Sequence, residues 1–140
     1  MRFPTSLRDG KQRPIVSVTV SIPGGRSVLF DALVDTGADV SLFPKSAAIR
    51  LGLDLMNLPT GIVTAAVGGQ CQYRLCDVTL ELRRLPETLR WNTTVGFVEH
   101  TMSYAILGTR GLFEFFRFTY DAHEQWLELT PRVATPSPST

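Results

Sequence analysis

Ala32-Leu33-Val34-Asp35-Thr36-Gly37-Ala38-Asp39-Val40-Ser41-Leu42-Phe43-Pro44 is the stretch on which the reading of this chain turns. Three apolar residues run into an Asp-Thr-Gly turn, and an apolar stretch follows. An acid is thereby set at the end of a buried strand, a placement that suits chemical work. The tripeptide alone is a weak signal. Asp, then Thr or Ser, then Gly arises by chance in roughly one chain in twenty of this length, and an acidic turn between strands explains it equally well. The flanks and the rest of the chain have to decide.

At 140 residues the chain is long enough for one domain with a real core and too short for two. Its 44% hydrophobic and 19% charged content are those of an ordinary globule. A net charge of +1 offers no electrostatic reason to expect nucleic acid or an anionic membrane as a partner. No apolar run approaches the ~18 residues of a membrane span, and Met1-Arg2-Phe3-Pro4 begins no signal peptide, so a cytoplasmic location is the expectation. Cys71 and Cys76 fall in one strand pattern, which separates them by about 16 Å, beyond the reach of a disulfide. With only His100 and His123 as imidazoles, no zinc pattern forms, and neither metal nor cofactor is expected. No Ser-His-Asp or Cys-His arrangement has a local motif behind it either.

Residues 1–12 are polar and unpatterned and read as a loose arm. Val16, Val18, Val20 and Ile22 then alternate with Ser17, Thr19 and Ser21, the period of a half-buried strand. Pro23-Gly24-Gly25-Arg26 turns the chain into a second strand, 27–34, with Val28, Phe30, Ala32 and Val34 on one face. Leu33 and Asp35 share the other face. Lys45 to Leu51 reads as a short helix ended by Gly52. Residues 60–67 and 70–83 form a long hairpin with a small-residue tip at Ala65, Ala66, Gly68 and Gly69. Along its return strand the apolar parity shifts between Tyr73 and Val78, which predicts a bulge near Cys76-Asp77. A strand over 91–98 and the run Ala105-Ile106-Leu107-Gly108 follow. Leu112, Phe113, Phe115 and Phe116 have helical spacing and read as core. A last hairpin, through Phe118-Tyr120 and Trp126-Leu129, precedes a Pro/Ser/Thr tail, 131–140, which reads as disordered. The sum is one mostly-β domain, 13–130, with one or two short helices.

Four ordered segments resemble the retroviral-type aspartic proteases, the retropepsins. Gln12-Arg13-Pro14-Ile15-Val16 is similar to the segment opening many of them, and Asp35-Thr36-Gly37-Ala38-Asp39 resembles their catalytic loop. The glycine-tipped hairpin sits where their flap sits, and Ala105-Ile106-Leu107-Gly108 resembles their second apolar-apolar-Gly element. Residues 111–129 look more like bacterial retropepsin-like proteins than viral ones. The match departs from the family at Thr109, because the family's arginine follows the glycine directly, whereas Arg110 comes one position later.

The resemblance implies a closed β-barrel with a flap, and an endopeptidase built as a homodimer in which each chain gives one Asp35. Thr36 and Gly37 would hold the catalytic pair. Leu33, Ala38, Asp39 and Ile106 would line the substrate site, and the tip formed by Ala66, Val67, Gly68 and Gly69 would cover it. Arg13 would reach Asp39 of the partner subunit as a dimer clamp. The substrate would be a peptide bound as an extended strand, with no metal, cofactor, nucleic acid or membrane involved. The alternative implied by the same match is a catalytically idle dimer that serves binding or assembly.

Overall fold

The structure, a computed structural model, describes residues 1–64 and 69–132, with only the backbone of 63 and 64. It opens with three short strands, β1 (Arg2–Pro4), β2 (Ser6–Arg8) and β3 (Lys11–Arg13). A hairpin follows, β4 (Ile15–Ser21) and β5 (Ser27–Val34), then β6 (Leu42–Pro44) and the helix α1 (Lys45–Leu51). Next come a second hairpin arm β7 (Thr60–Thr64), the long strands β8 (Gln70–Arg84) and β9 (Glu87–Val98), and β10 (Ala105–Leu107). The last pair is β11 (Phe116–Asp121) and β12 (Trp126–Pro131). The protein is therefore mostly β.

Six strands run in the order β4-β5-β10-β6-β9-β8, and β4 pairs back onto β8, which closes the barrel. Period-two alternation puts Val16, Val18 and Val20 of β4 opposite Ala32, Phe30 and Val28 of β5. Those side chains face the interior with Val78, Leu80 and Leu82 of β8 and Trp91, Val95 and Phe97 of β9. Phe43 meets Phe97 at 6.0 Å and Phe30 at 6.2 Å between ring centroids. Helix α1 covers this end with Ala47, Ala48 and Leu51, which lie on one helical face. It ends at Gly52, whose φ of 77° the sequence pattern anticipates.

Four expectations are corrected. The ladder between β8 and β9 runs unbroken from Tyr73 opposite Val98 to Arg84 opposite Glu87, so there is no bulge at Cys76-Asp77. The parity shifts because β8 is buried on different faces at its two ends. Val78, Leu80 and Leu82 fill the barrel, while Tyr73 lies across the other face. A Cβ on Gly61 of β7 or Gly96 of β9 would come within 2.5 or 2.6 Å of the Tyr73 ring, so both strands must present bare backbone there. The second correction concerns 112–116, which is a single tight turn rather than a helix. Leu112 and Phe113 N–H both donate to Gly108 O and Glu114 N–H to Thr109 O, and then β11 begins. Leu112 and Phe116 are nonetheless fully buried, as their spacing suggested.

The third correction is that residues 1–12 are not a loose arm. β1 pairs with β12 through Phe3 opposite Leu127, and Phe3 is buried. Arg2 adds a cation–π contact, 3.9 Å from the Trp126 ring. β2 and β3 form a hairpin around Asp9-Gly10, both at positive φ. At the other end, β12 runs through Pro131, and Arg132 N–H donates to Phe115 O at 2.9 Å, so the tail does not begin at 131. Residues 133–140 of that tail lie outside the described residues.

The β2–β3 hairpin is pinned to the barrel by Arg8 Nη2, which donates to Asp31 Oδ2 at 2.7 Å, while Ser17 Oγ donates to Oδ1 at 2.9 Å. The Arg8 hydrogen bond holds the Asp31 carboxyl below its ordinary value of 3.8, against the opposing effect of burial. A carboxyl depressed in the folded state adds stability above its unfolded value, and loses it as pH falls through the folded one. Both side chains are more than a third exposed, so the pair is worth at most about 1 kcal/mol. Arg8→Ala should lower the urea unfolding free energy by no more than that at neutral pH. The gap should close in strong acid, below the ordinary value of 3.8. A larger gap, or one unchanged by acid, would refute this account.

Candidate active site

Asp35 follows the last residue of β5, and its own N–H donates to Leu107 O at 2.9 Å. Parallel pairing of β5 with β10 sets Leu33 beside Ile106 and Val34 beside Leu107, so the acid emerges where both strands end. The local turn orients it. Gly37 N–H donates to Asp35 Oδ1 at 2.9 Å and Ala38 N–H to Asp35 O at 3.2 Å. One carboxyl oxygen is thus anchored, and the other has no hydrogen bond among the described residues. Asp35 is half-buried, while Thr36 and Gly37 are exposed beside it. A carboxyl held in this way, at the surface but fixed in direction, is equipped to take and return a proton.

The segment after the turn crosses the start of the loop that follows β10. Thr109 N–H donates to Ala38 O and Arg110 N–H to Asp39 O, each at 2.9 Å. The second acid of the loop is therefore braced through its main chain. Among the described residues no ion pair joins Asp39 to Arg110, and both are exposed. The crossing leaves no room at Gly108, where a Cβ would lie 2.5 Å from Ala38 O and 2.7 Å from Val40 O.

Ser41 locks the crossing from within. It is fully buried, its hydroxyl accepts from Gly108 N–H at 3.0 Å, and it donates to Arg110 O at 2.8 Å. Trp91 Nε1 donates to Gly111 O at 2.8 Å, which ties the same loop to the barrel core. Nothing in the sequence marked Ser41, because one serine in an apolar run reads as incidental. Leu42 was also missed. It lies opposite Ile106, which lies beside Leu33, so the three make an apolar strip leading to Asp35.

The structure thus brings together Asp35, Thr36, Gly37, Ala38, Asp39, Leu33 and Ile106. Arg13 ends β3, is half-buried, and its Nε is the one buried side-chain polar atom without a hydrogen bond among the described residues. It makes no ion pair with Asp39 of its own chain. The β7–β8 hairpin is present, with Thr64 opposite Gln70 and Gly69 exposed at a φ of 84°. Ala65, Ala66, Val67 and Gly68 lie outside the described residues. A hollow of about 980 Å³ on the outer face of β4, β5 and β8 is a poor rival site. Its one carboxylate, Glu81, is held by Arg90 at 2.6 Å and Arg83 at 3.0 Å.

Removing the Ser41 hydroxyl would strand the buried Gly108 N–H, at a cost of about 1–3 kcal/mol, while Arg110 O keeps the Ser41 N–H as a donor. Ser41→Ala should therefore lower stability by about 1–3 kcal/mol in urea unfolding, whereas Ser27→Ala, at an exposed position, should stay within about 0.5 kcal/mol. Gly108→Ala should cost at least as much as Ser41→Ala, because the carbonyls it meets are main chain. Equal, small effects at all three positions would show that the crossing is not locked here.

The chain resembles in fold a retropepsin-like aspartic protease from Rickettsia conorii, with a TM-score of 0.60 and 21% identity over 91% of this chain and 95% of that one. The retroviral protease-like domain of Ddi1 from Leishmania major aligns at a TM-score of 0.47 and 21% identity, over 82% of this chain and 87% of that one. EIAV protease, solved with the inhibitor HBY-793, aligns at 0.45 and 17%, over 74% and 88%. No curated protein gives a significant match. The sequence pattern of the family described as Aspartyl protease matches residues 16–110, a span that holds the Asp35 turn, the hairpin and the Gly108 crossing. The chain belongs to the aspartyl protease family, in its retropepsin-like fold.

Proposed function

We propose that the chain is an aspartic endopeptidase that works as a homodimer, with Asp35 of each copy acting on one water. The observation that carries this reading is the single anchored carboxylate at Asp35, with one oxygen fixed by Gly37 N–H and the other open. Hydrolysis by this route needs a base and an acid on the same water, and one chain supplies only one Asp-Thr-Gly loop. A two-fold axis beside the exposed Thr36-Gly37 corner would bring in the second. Two carboxyls about 3 Å apart share one proton, as in the aspartic proteases from which that rule is drawn. The ionised Asp35 deprotonates the water. The protonated one donates to the scissile carbonyl and polarises it.

The other site roles follow from position. Leu33, Ile106 and Ala38, half-buried around the acid, accept apolar side chains flanking the cut. The extended peptide lies between them and the β7–β8 hairpin, whose Ala66, Val67, Gly68 and Gly69 tip closes over it as a flap. Arg13, with its unpartnered Nε, turns to Asp39 of the partner subunit and clamps the dimer. In this reading Asp39 serves the interface as well as the rim of the substrate site. No helix among the described residues is long and apolar enough to cross a membrane.

Digestion of a fluorogenic peptide library, read by mass spectrometry, tests the activity. Wild type should cleave with a bell-shaped pH dependence and an acidic to mildly acidic optimum. Asp35→Asn should lose at least about 10²-fold in rate. A rate that climbs steadily into alkali, or that survives Asp35→Asn, would defeat the reading. Dilution tests the clamp separately. Specific activity should fall as dimers part, and Arg13→Ala should raise the midpoint concentration about tenfold or more, equivalent to roughly 1.4 kcal/mol. Asp39→Asn should do the same, and the double variant should cost much less than the sum. A midpoint that ignores Arg13→Ala would mean that the dimer is held elsewhere.

A further inference from the structure

The β8–β9 ladder ends with Tyr73 opposite Val98, and two residues further along, Cys71 and His100 face each other. Cys71 Sγ and His100 Nε2 are 3.1 Å apart, much closer than the 3.7 Å between Sγ and Gln72 O. The thiol is half-buried and the imidazole exposed, so the pair is open to small molecules from the His100 side. The nearest chain neighbour of His100 with a charge, Glu99, is already held by Lys45 at 3.0 Å. That leaves the imidazole as the group placed to exchange a proton with the thiol. Among the described residues no third His, Cys, Asp or Glu joins the two in a metal-binding set. The arrangement therefore favours thiol chemistry over metal binding.

We propose that Cys71 is a modification site for small disulfides of the oxidised-glutathione class, with His100 as the base that withdraws its proton. The imidazole takes the Sγ proton, and the thiolate attacks one sulfur of the disulfide. A new sulfur–sulfur bond forms at Cys71 as the original one breaks. The departing thiolate collects the proton from the imidazolium, so one disulfide and one thiol become one mixed disulfide and one thiol. Cys76 provides an internal reference five positions along the same strand. Burial, and then the Asp77 carboxylate, hold its thiol above the ordinary value, and it has no imidazole partner among the described residues.

The test uses the full chain with oxidised glutathione, followed by mass spectrometry of tryptic peptides. Trypsin cuts after Arg74, so the two cysteines fall in separate peptides. In the native protein Cys71 should be thiolated about tenfold faster than Cys76 or more. In concentrated urea the two rates should converge. His100→Gln should slow Cys71 at least about fivefold and leave Cys76 unchanged. If that variant were misfolded, Cys76 would accelerate and report it, and His100→Asn would then be judged by the same criterion. Equal native rates, or a Cys71 rate indifferent to the loss of the imidazole, would overturn the proposal. None of these readouts depends on peptidase activity, so failure here is distinct from failure of the proposed function.

Discussion

The passage of one backbone against another at Gly108 is the constraint on which the rest of the structure depends. Ala38 and Val40 carbonyls stand where any side chain would be, so the Asp35 loop and the loop after β10 can cross only over bare main chain. That crossing makes the parallel pairing of β5 with β10 possible, since both strands must end at the same level. It also buries the Gly108 N–H, and the fully buried Ser41 hydroxyl sits there to accept from it while donating to Arg110 O. The loop that carries the acid is consequently anchored to the core, although its own side chains stand at or near the surface. Its position is fixed by the same bonds that hold the barrel together.

A second principle is the use of both faces of one sheet. Val78, Leu80 and Leu82 of β8 fill the barrel, while Tyr73 spans Gly61 and Gly96 on the reverse side. The reverse side is continued by Leu42, Ile106 and Leu33, neighbours across successive strands, up to Asp35. Hydrophobic burial therefore stabilises the domain on one side and leaves a half-buried apolar strip beside the acid on the other. Trp91 links the two, because its ring packs on Phe116 at 4.7 Å while its N–H holds Gly111 O.

What the sequence made legible was whatever is local. The Asp35 turn is written in three adjacent residues, since an aspartate accepting from the N–H two positions on needs no distant partner. The β4–β5 hairpin and α1 follow from alternation, turn residues and a terminal glycine in the same way. Ser41 could not be read because its partners are at 108 and 110, and hydrogen bonds across that separation leave no pattern. Tyr73 was misread because a period-two count assumes one buried face along the whole strand. The first twelve residues did carry a signal, Asp9-Gly10, which is the composition of a tight hairpin turn. It was outweighed by polarity, and Phe3 alone gave no periodicity to show that its strand is anchored. The contact between Asp39 and Arg110 is equally silent in the sequence, because it is made by the Arg110 main-chain N–H and not by its side chain.

The sheet formed by β1, β12 and β11 joins the first strand of the domain to the last. Leu129 N–H donates to Met1 O, and the Met1 ammonium donates to Leu129 O, both at 2.9 Å. Beyond the three ladder pairs, β1 is fastened by the buried Phe3 ring and by Arg2 over Trp126. The two ends of the domain are thus one cooperative unit: a change that empties the Phe3 position loosens β12 as well as β1.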